Sequence, residues 1–294
     1  MPAWAEARAL WLACAVLLGG TGLASAQLAD LVSRTAFRVC ADPSDLPFSN
    51  QAGEGFENEI AALFAEHFGR ELQYTWYPMS TGFVRRTLIE YRCDVIPGYA
   101  QGEEMVLNTN HYYSSTHVFI TRADSDLAEV TTLADPRLAG RSIGVIAGSP
   151  PASHLARHGL MANVKGYKLV VDPRHERPNE EMLTDVAAGR LDAAVLWGPI
   201  GGPLVENAGD ALVVTPLLHE EGAPRLVYRI TMGVRQGELD WKHDLNSLIR
   251  RNQGEIDHIL TDAGVPILDD FGKALKTPAP LAAEALAPAP RPVN

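Results

Sequence analysis

The chain has 294 residues, a formal net charge of −11 and 46% hydrophobic residues. A length of this order suits two domains of roughly 100 to 200 residues each. The acidic balance argues against nucleic acid and anionic membrane as partners and suits a basic protein partner. Beyond the N-terminal segment, no stretch approaches the roughly 18 unbroken apolar residues of a membrane helix, so we expect no membrane insertion.

Residues 1–26 have the pattern of a secretory signal peptide. Arg8 lies in a short n-region, an apolar run occupies residues 9–18, and Ala24-Ser25-Ala26 matches a cleavage site. A lipoprotein signal at Cys14 fits less well, because Trp11 stands where a small or leucine-like residue is wanted. The sequence therefore predicts a soluble secreted protein whose signal is cleaved after Ala26.

Removal of the signal leaves two cysteines, Cys40 and Cys93, each at one end of a predicted strand. In an oxidising compartment such a pair is more often bonded than free, although two separate buried thiols remain the alternative. A disulfide would close a loop of about 53 residues and contribute on the order of 4 kcal/mol in the chain-entropy model.

The first part of the chain alternates short β-rich runs with helical periodicity. FRVC predicts a strand, ENEIAALFAEHF a helix, LQYTWY a strand, and Ser80 or Thr81 the start of another helix. CDVI predicts a strand that begins at Cys93. The first helix is amphipathic, because its apolar residues recur on one face: Ile60, Leu63, Phe64 and Phe68.

A second such series begins at RSIGVIAG. It continues through a helix PASHLARHG that ends at Gly159, a strand YKLVV, a helix over residues 179–189 and a strand LDAAVLW. Between the two series, HVFITR predicts a strand, and the polar stretch 123–133 predicts a lobe boundary. The alternation is typical of βαβ units and predicts a mostly parallel sheet.

The C-terminal part begins with RLVYRITMGVRQ, which is followed by predicted helices over residues 239–252 and 255–263. The end of the chain, TPAPLAAEALAPAPRPVN, is rich in proline and alanine and cannot supply a core. We expect residues 271–294 to form an extended or disordered tail that acts as a spacer without contacts.

A weak internal repeat relates the two series. Arg92-Cys93-Asp94-Val95 and Arg190-Leu191-Asp192-Ala193 each follow a predicted helix and lead into a strand. The repeat places Tyr99 and Trp197 near the carboxyl ends of their strands, which is where ligands bind in open α/β sheets.

No catalytic motif emerges from the sequence. His154 and His158 have a zinc-compatible spacing on a predicted helix, but no third ligand is indicated, so we interpret them as surface histidines. Asp42-Pro43-Ser44-Asp45 lacks the glycine and glutamate of a calcium loop, and Gly148-Ser149-Pro150 is not a G-x-S-x-G elbow. No spacing singles out a carboxylate pair, so the acidic residues are expected on solvated faces. We therefore expect no enzyme activity, no cofactor and no metal site.

Aromatic residues gather at the predicted loop tips. Any one of them is more often a core residue than a ligand contact, but together they favour a binding cleft. They are Phe48, Trp76, Tyr77, Tyr99, Tyr112, Tyr113 and Trp197.

The order of these pieces resembles the type II periplasmic solute-binding proteins. The similarity covers nearly all of residues 37–270 and includes CADPSDLPFSN, GFENEIAALFAEHFG, CDVIPGYA, HYYSSTHVFITR, LADPRLAGRSIGVIAGS and GRLDAAVLWGP. More narrowly, the motifs CADP, GFEN, GFVR, WGP and MGVR resemble the XoxJ/MoxJ proteins, which are encoded alongside PQQ-dependent methanol dehydrogenases.

This resemblance implies an α/β, two-lobed periplasmic binding protein (type II) with two crossing segments between the lobes, near residues 120 and 226, and a cleft between them. Lobe 1 would comprise residues 34–122 plus 226–270, and lobe 2 the inserted residues 123–225. The expected cleft residues, for a small ligand or a partner, are Asp42, Phe48, Tyr77, Tyr99, Tyr112, Ser149, Trp197 and Gly198.

The chain departs from amino-acid binders of this fold at both charge anchors. The loop that carries their carboxylate-binding arginine reads AQGEEM here and lacks an arginine, and Trp197 takes the place of their aspartate. A bidentate arginine–carboxylate contact is strong, so ordinary amino-acid capture is not expected.

Two functions remain. The first is a monomeric periplasmic accessory that binds a PQQ-dependent methanol dehydrogenase, the lanthanide type included, with the cytochrome c of that enzyme as a further candidate partner. The second is an ABC-transporter substrate-binding protein for a small apolar or aromatic solute.

Overall fold

The computed structural model describes residues 31–102, 104–172 and 175–280; the predicted signal peptide and residues 281–294 lie outside the described residues. No helix in these ranges is long and apolar enough to cross a membrane. The helices are α1 (Phe56–Phe68), α2 (Phe83–Arg86), α3 (Pro150–Arg157), α4 (Pro178–Ala187), α5 (Gly198–Glu206), α6 (Leu239–Arg251) and α7 (Gln253–Asp262). The strands are β1 (Ala36–Ala41), β2 (Ser44–Asp45), β3 (Ser49–Asn50), β4 (Glu71–Trp76), β5 (Ile96–Ala100), β6 (Leu107–Asn108), β7 (Tyr113–Arg122), β8 (Ile143–Ile146), β9 (Val164–Tyr167), β10 (Ala193–Trp197), β11 (Leu212–Pro216) and β12 (Val227–Val234).

Helix α1 confirms the amphipathic pattern that its sequence predicts. Ile60 and Phe64 are fully buried in the core, whereas Glu59 and Glu66 on the other face are exposed. At its start, the Asn58 side chain accepts a hydrogen bond from the backbone N–H of Gly55 at 3.1 Å. At its end, Gly69 adopts a left-handed conformation with φ of 61°, the usual way for a helix to terminate.

In the first half of the structure, β1 pairs in parallel with β4 over its whole length. On its other side, Val39 bridges in parallel to Val95, just before β5, and β5 in turn pairs antiparallel with β12. The strand predicted to begin at Cys93 therefore begins three residues later, at Ile96.

Strand β7 connects the two halves. Its first residues, Tyr113–Thr116, pair antiparallel with β12, and its remaining residues pair antiparallel with β10 and β11. Beyond β10 the sheet continues in parallel through β8 and β9. The prediction of a mostly parallel sheet is wrong, because β7 and β12 run through the junction and impose antiparallel pairings on both halves.

Each half has its own buried apolar residues. In the first half, Phe37, Phe64 and Trp241 bring together β1, α1 and α6. In the second half, successive residues of β7 alternate between the two faces of the sheet: Phe119 packs on one side, and Val118 and Ile120 pack on the other. The second-half sheet is thus covered on both faces, as expected for an α/β architecture.

Two further elements differ from the sequence prediction. The strand expected at YKLVV lies earlier, as β9, and Leu169 and Val170 are largely exposed. Helix α5 was not predicted, because its segment GPIGGPLVE is rich in residues that disfavour helices. Tertiary packing overrides this propensity, since five of its glycine and proline residues are buried.

The start of the predicted tail is in contact with the body of the protein. The Lys276 ammonium lies 2.5 Å from Asp257 of α7, and His258 lies 2.8 Å from the backbone oxygen of Ala279. The expectation of a contact-free spacer therefore does not hold for residues 271–280.

Candidate functional site

The loop between β1 and α1 is ordered by Asp42. This side chain is only 2% exposed, and its carboxylate accepts hydrogen bonds from the backbone N–H groups of Ser44 and Met79. Its backbone oxygen accepts a third from the Ser49 hydroxyl at 2.9 Å. Sequence reasoning placed Asp42 among the ligand contacts, but in the structure its oxygens hold the loop that presents Asp45 and Phe48.

Asp45 at the end of β2 and Glu57 in the first turn of α1 are two carboxyl groups close enough to repel each other, and we call them the acidic pair. Burial, followed by repulsion from Asp45, raises the pKa of Glu57 to about 8. Burial, followed by repulsion from Asp42, raises the pKa of Asp45 to about 6. The expectation that carboxylates lie on solvated faces is therefore wrong for Glu57, which is only 6% exposed.

The Glu57 carboxyl group has no lysine or arginine partner among the described residues. Across the described part of the chain, no lysine or arginine forms a salt bridge with either member of the acidic pair. A buried carboxylate without a counter-charge is costly, so near neutral pH the pair keeps a proton. An ammonium or guanidinium group that reached the pair would displace this proton and gain a strong charge-assisted contact.

Gly98 on β5 lies directly beside the Glu57 carboxyl group. A Cβ atom at this position would lie 2.0 Å from Glu57 Oε1, so the carboxyl group occupies the space that any other residue would fill. The Gly98 N–H donates to the Tyr112 hydroxyl at 2.9 Å. The buried Tyr112, predicted as a cleft residue, thus lies beside the acidic pair, and burial followed by the charge of Glu57 raises its pKa.

A second group forms around Trp197 at the end of β10. Its ring makes T-shaped contacts with His117 of β7 at 5.2 Å and with Tyr228 of β12 at 5.6 Å between centroids. We call these three residues the aromatic trio. Trp197 is half-buried and packs against the core of the first half, although its own strand belongs to the second. Burial lowers the pKa of His117 to about 4, so this ring is neutral at physiological pH.

The remaining predicted cleft residues fall into three places. Phe48 packs edge-on against Phe56 at 5.2 Å between centroids, and its backbone oxygen accepts a hydrogen bond from the Glu57 N–H at 2.9 Å. Tyr77 and Tyr99 instead pack on the cluster around the disulfide, where the Tyr77 hydroxyl accepts a hydrogen bond from Arg86. Ser149 precedes α3, and its buried hydroxyl has no hydrogen-bond partner among the described residues.

Gly198 follows Trp197 and is set by close packing. A Cβ atom there would lie 2.4 Å from the backbone oxygen of Thr116 and 2.8 Å from Pro266. Only glycine allows α5 to begin this close to β7. This close approach positions the Trp197 ring against residues of β7 and β12.

Cys40 and Cys93 form the expected disulfide, with their Cα atoms 5.5 Å apart. Beside it, Arg235 donates to the backbone oxygen of Cys93 and to Asp94, in a pair of side chains that are both nearly fully buried. Two sequence motifs, RCDV and MGVR, therefore meet at one buried ion pair under the disulfide.

The structure also corrects the interpretation of His154 and His158. His154 is fully buried rather than on the surface, and the Glu220 carboxylate lies 3.8 Å from a ring nitrogen of each histidine. Sequence reasoning could not find Glu220, because it is far from both histidines along the chain and follows no recognisable spacing.

No protein-family model matches the chain. Protein MoxJ of Methylorubrum extorquens AM1 is 30% identical over 246 residues, which cover 79% of this chain and 81% of MoxJ. The chain belongs to the MoxJ/XoxJ family. The crystal structure of the periplasmic binding protein XoxJ from Methylobacterium extorquens AM1 is 39% identical and superposes with a TM-score of 0.69, covering 80% of this chain and 100% of XoxJ.

The predicted fold class is confirmed by these structures. An amino acid ABC transporter substrate-binding protein of Streptococcus pneumoniae, solved with L-arginine, shares the fold alone, at 23% identity and a TM-score of 0.53, over 78% of this chain and 94% of that one. The MoxJ/XoxJ-family chain is therefore an α/β, two-lobed protein of the type II periplasmic binding class and is solute-binding-like. The lobe boundaries near residues 122 and 226 stay a prediction.

Proposed function

We propose that this protein is a periplasmic accessory of the MoxJ/XoxJ family that binds a PQQ-dependent methanol dehydrogenase and assists its maturation or activation. It acts as a binding protein rather than an enzyme, and its signal peptide is cleaved after Ala26. The observation that carries the proposal is the 39% identity to XoxJ over the whole length of that chain.

The character of the site supports a protein partner. The acidic pair offers a buried negative charge with no internal cation among the described residues, and the half-buried Phe48 is its neighbour, because the Phe48 backbone oxygen accepts a hydrogen bond from the Glu57 N–H at 2.9 Å. Such a site fits a lysine or arginine side chain, whose apolar stem packs on an aromatic ring while its charged head meets the carboxylates. The net charge of −11 would add long-range attraction to a basic partner surface.

The aromatic trio provides the second contact region. Trp197 is the kind of large, half-buried side chain that anchors protein interfaces. The same three rings also favour the alternative function, an ABC-transporter substrate-binding protein for a small aromatic or apolar solute. The loss of both charge anchors disfavours an ordinary amino acid in either case.

A comparative pull-down tests the proposal. The mature protein, its Trp197→Ala variant and a Phe271→Ala control are immobilised and exposed to periplasmic extract of methanol-grown cells. Phe271 is 82% exposed and has no part in either group, so the control removes an aromatic ring of similar character. We expect the wild type and the control to enrich the dehydrogenase, and Trp197→Ala to bind about 30-fold more weakly, as for a central anchor worth about 2 kcal/mol.

Two results would contradict the proposal. One is the absence of the dehydrogenase from the wild-type pull-down. The other is equal binding by Trp197→Ala and Phe271→Ala together with a small solute retained by the wild type in native mass spectrometry, which would favour the transport receptor. If the dehydrogenase is captured, its activity after synthesis with and without this protein distinguishes assistance from mere association.

A further inference from the structure

Two histidines and a glutamate meet where helix α3 faces the segment that leads into β12. His154 and His158 lie on and just after α3, four residues apart on one face, and Glu220 belongs to the segment before β12. One ring nitrogen of each histidine and one carboxylate oxygen all lie within 4.8 Å of one another. We propose that His154, His158 and Glu220 bind a divalent transition-metal ion of the zinc class.

The tautomer of His154 is suited to metal binding. Its Nε2 lies 2.7 Å from the backbone oxygen of Pro224, which can only accept, so Nε2 carries the proton. Nδ1 then carries the lone pair that can act as a ligand, and it lies 3.8 Å from Glu220 Oε2. Metal-bound histidines commonly have their second nitrogen held in this way by a carbonyl group.

Glu220 has a matching second contact. Its Oε1 accepts a hydrogen bond from the backbone N–H of Leu133 at 2.6 Å, which leaves Oε2 directed at the two histidines. The side chain is only 3% exposed. A carboxylate this deeply buried gains from a positive partner, and its salt-bridge contacts among the described residues are with the two imidazoles alone, so a metal ion bound between the three groups would supply that charge.

The distances are close to those of a zinc site. Oε2 of Glu220 lies 3.8 Å from both His154 Nδ1 and His158 Nε2. Tetrahedral ligands at about 2.1 Å from the metal lie roughly 3.4 Å from one another, so these two distances need to shorten by only about 0.4 Å, and the two histidine nitrogens lie within 4.8 Å of one another. The His158 side chain is 27% exposed, which gives the ion a path from solvent and leaves room for a water as fourth ligand.

Arg157 sets the strength of the site. Its Nη1 lies 3.3 Å from His154 Nδ1 and donates to the backbone oxygen of Glu221 at 2.8 Å. A metal ion bound to Nδ1 would replace the Arg157 contact with that nitrogen. Arg157 would still donate hydrogen bonds to the backbone oxygens of Glu221 and Ala223, in the segment before β12. The nearby positive charge of Arg157 weakens the attraction for a cation at this site. When bound, the ion would join α3 to the segment that enters one of the two connecting strands.

Metal retention by the full mature chain, made without a histidine tag, tests the site. The protein is stripped with chelator, incubated with Zn²⁺, desalted and assayed for zinc by mass spectrometry; Co²⁺ provides a spectroscopic report of coordination. The variants are His158→Gln and Glu220→Gln, in which the amide can still accept from Leu133. The control is His243→Gln, because His243 is an exposed histidine on α6.

We expect about one zinc per chain in the wild type and in His243→Gln, with visible Co²⁺ absorption and a rise in melting temperature on zinc addition. Loss of a direct ligand should lower the affinity by more than about tenfold, since even outer partners of metal ligands contribute that much. The proposal is overturned if the wild type retains no zinc, or if His158→Gln retains as much as the control. His158 is partly exposed, so its variant remains informative even if Glu220→Gln fails to fold.

Discussion

Replacing Glu57 by glutamine tests whether the acidic pair destabilises the folded protein at neutral and alkaline pH. The pKa of Glu57 is raised from 4.5 to about 8 in the folded protein, mainly by burial. Below pH 4.5 the carboxyl group is protonated in both the folded and the unfolded state. Between pH 4.5 and 8 the unfolded state releases its proton while the folded state keeps it, so folding stability falls as pH rises through this window.

The pKa change corresponds to on the order of 3 to 5 kcal/mol of stability lost between pH 4.5 and 8. Glutamine has nearly the same shape and cannot ionise, so Glu57→Gln should avoid that loss. We expect the variant to match the wild type within about 1 kcal/mol near pH 5. At pH 8 it should melt roughly 10 °C higher, given a few degrees per kcal/mol for a chain of this size.

Urea unfolding and thermal melts of both proteins at several values from pH 5 to 8.5 measure the difference. The matched control is Glu59→Gln, because Glu59 lies in the same first turn of α1 but is exposed. The reasoning is refuted if the stability difference between Glu57→Gln and wild type is independent of pH, or if it equals the difference for Glu59→Gln. Either result would mean that Glu57 is solvated or has a cationic partner in solution.

Three further sets of substitutions test the disulfide, the buried ion pair beside it and the close packing at Gly198. Mass spectrometry without reduction should find no alkylatable thiol in the mature protein, and two alkylated cysteines in the wild type would refute this. Replacing Cys40 and Cys93 by alanine should lower the free energy of unfolding in urea by about 4 kcal/mol, because the disulfide joins residues 53 positions apart. Arg235→Gln should cost about 3 kcal/mol, since it leaves a buried carboxylate with one cation fewer, and an unchanged unfolding midpoint would argue against the buried pair. Gly198→Ala should lower the free energy of unfolding by about 1 to 3 kcal/mol through overpacking. Its control is Gly254→Ala in α7, which has open space around it and should raise the free energy of unfolding by up to about 1 kcal/mol. Equal effects of the two changes would contradict the close approach of α5 to β7.

Much of the fold follows from local pattern. The amphipathic spacing of α1 and the apolar run of β10 are each sufficient to identify their elements, since one face or both faces of the segment must be buried. Whether neighbouring strands run parallel or antiparallel cannot be predicted from local pattern, because it depends on partner strands far away in the chain. β7 pairs with β12 more than 100 residues later, and no local pattern shows that this pairing is antiparallel.

The site was less predictable for a related reason. The aromatic end of β10 marks Trp197 in the sequence, and the strand-end rule places it near a ligand edge, but His117 and Tyr228 join it only through the pairing of β7 with β10 and β12. Glu57 resembles any other acidic residue at a helix start. Only the glycine at position 98, which leaves room for its carboxyl group, distinguishes it from an exposed neighbour such as Glu59.

The two groups of the site require different kinds of contact, and this difference bears on the partner. Amino-acid binding proteins need a cation for the carboxylate of their ligand, whereas the acidic pair presents the opposite charge and holds a proton until a cation arrives. A small apolar solute would engage the aromatic trio without changing the protonation of the acidic pair, so its binding should not depend on pH between 6 and 8. A basic protein segment would use the acidic pair as well, and its binding should strengthen as pH rises through the pKa values of Asp45 and Glu57, because the protons leave more readily. The pH dependence of binding, measured with wild type and Glu57→Gln, therefore separates a basic protein segment from a small apolar solute by the charge that each brings to the acidic pair.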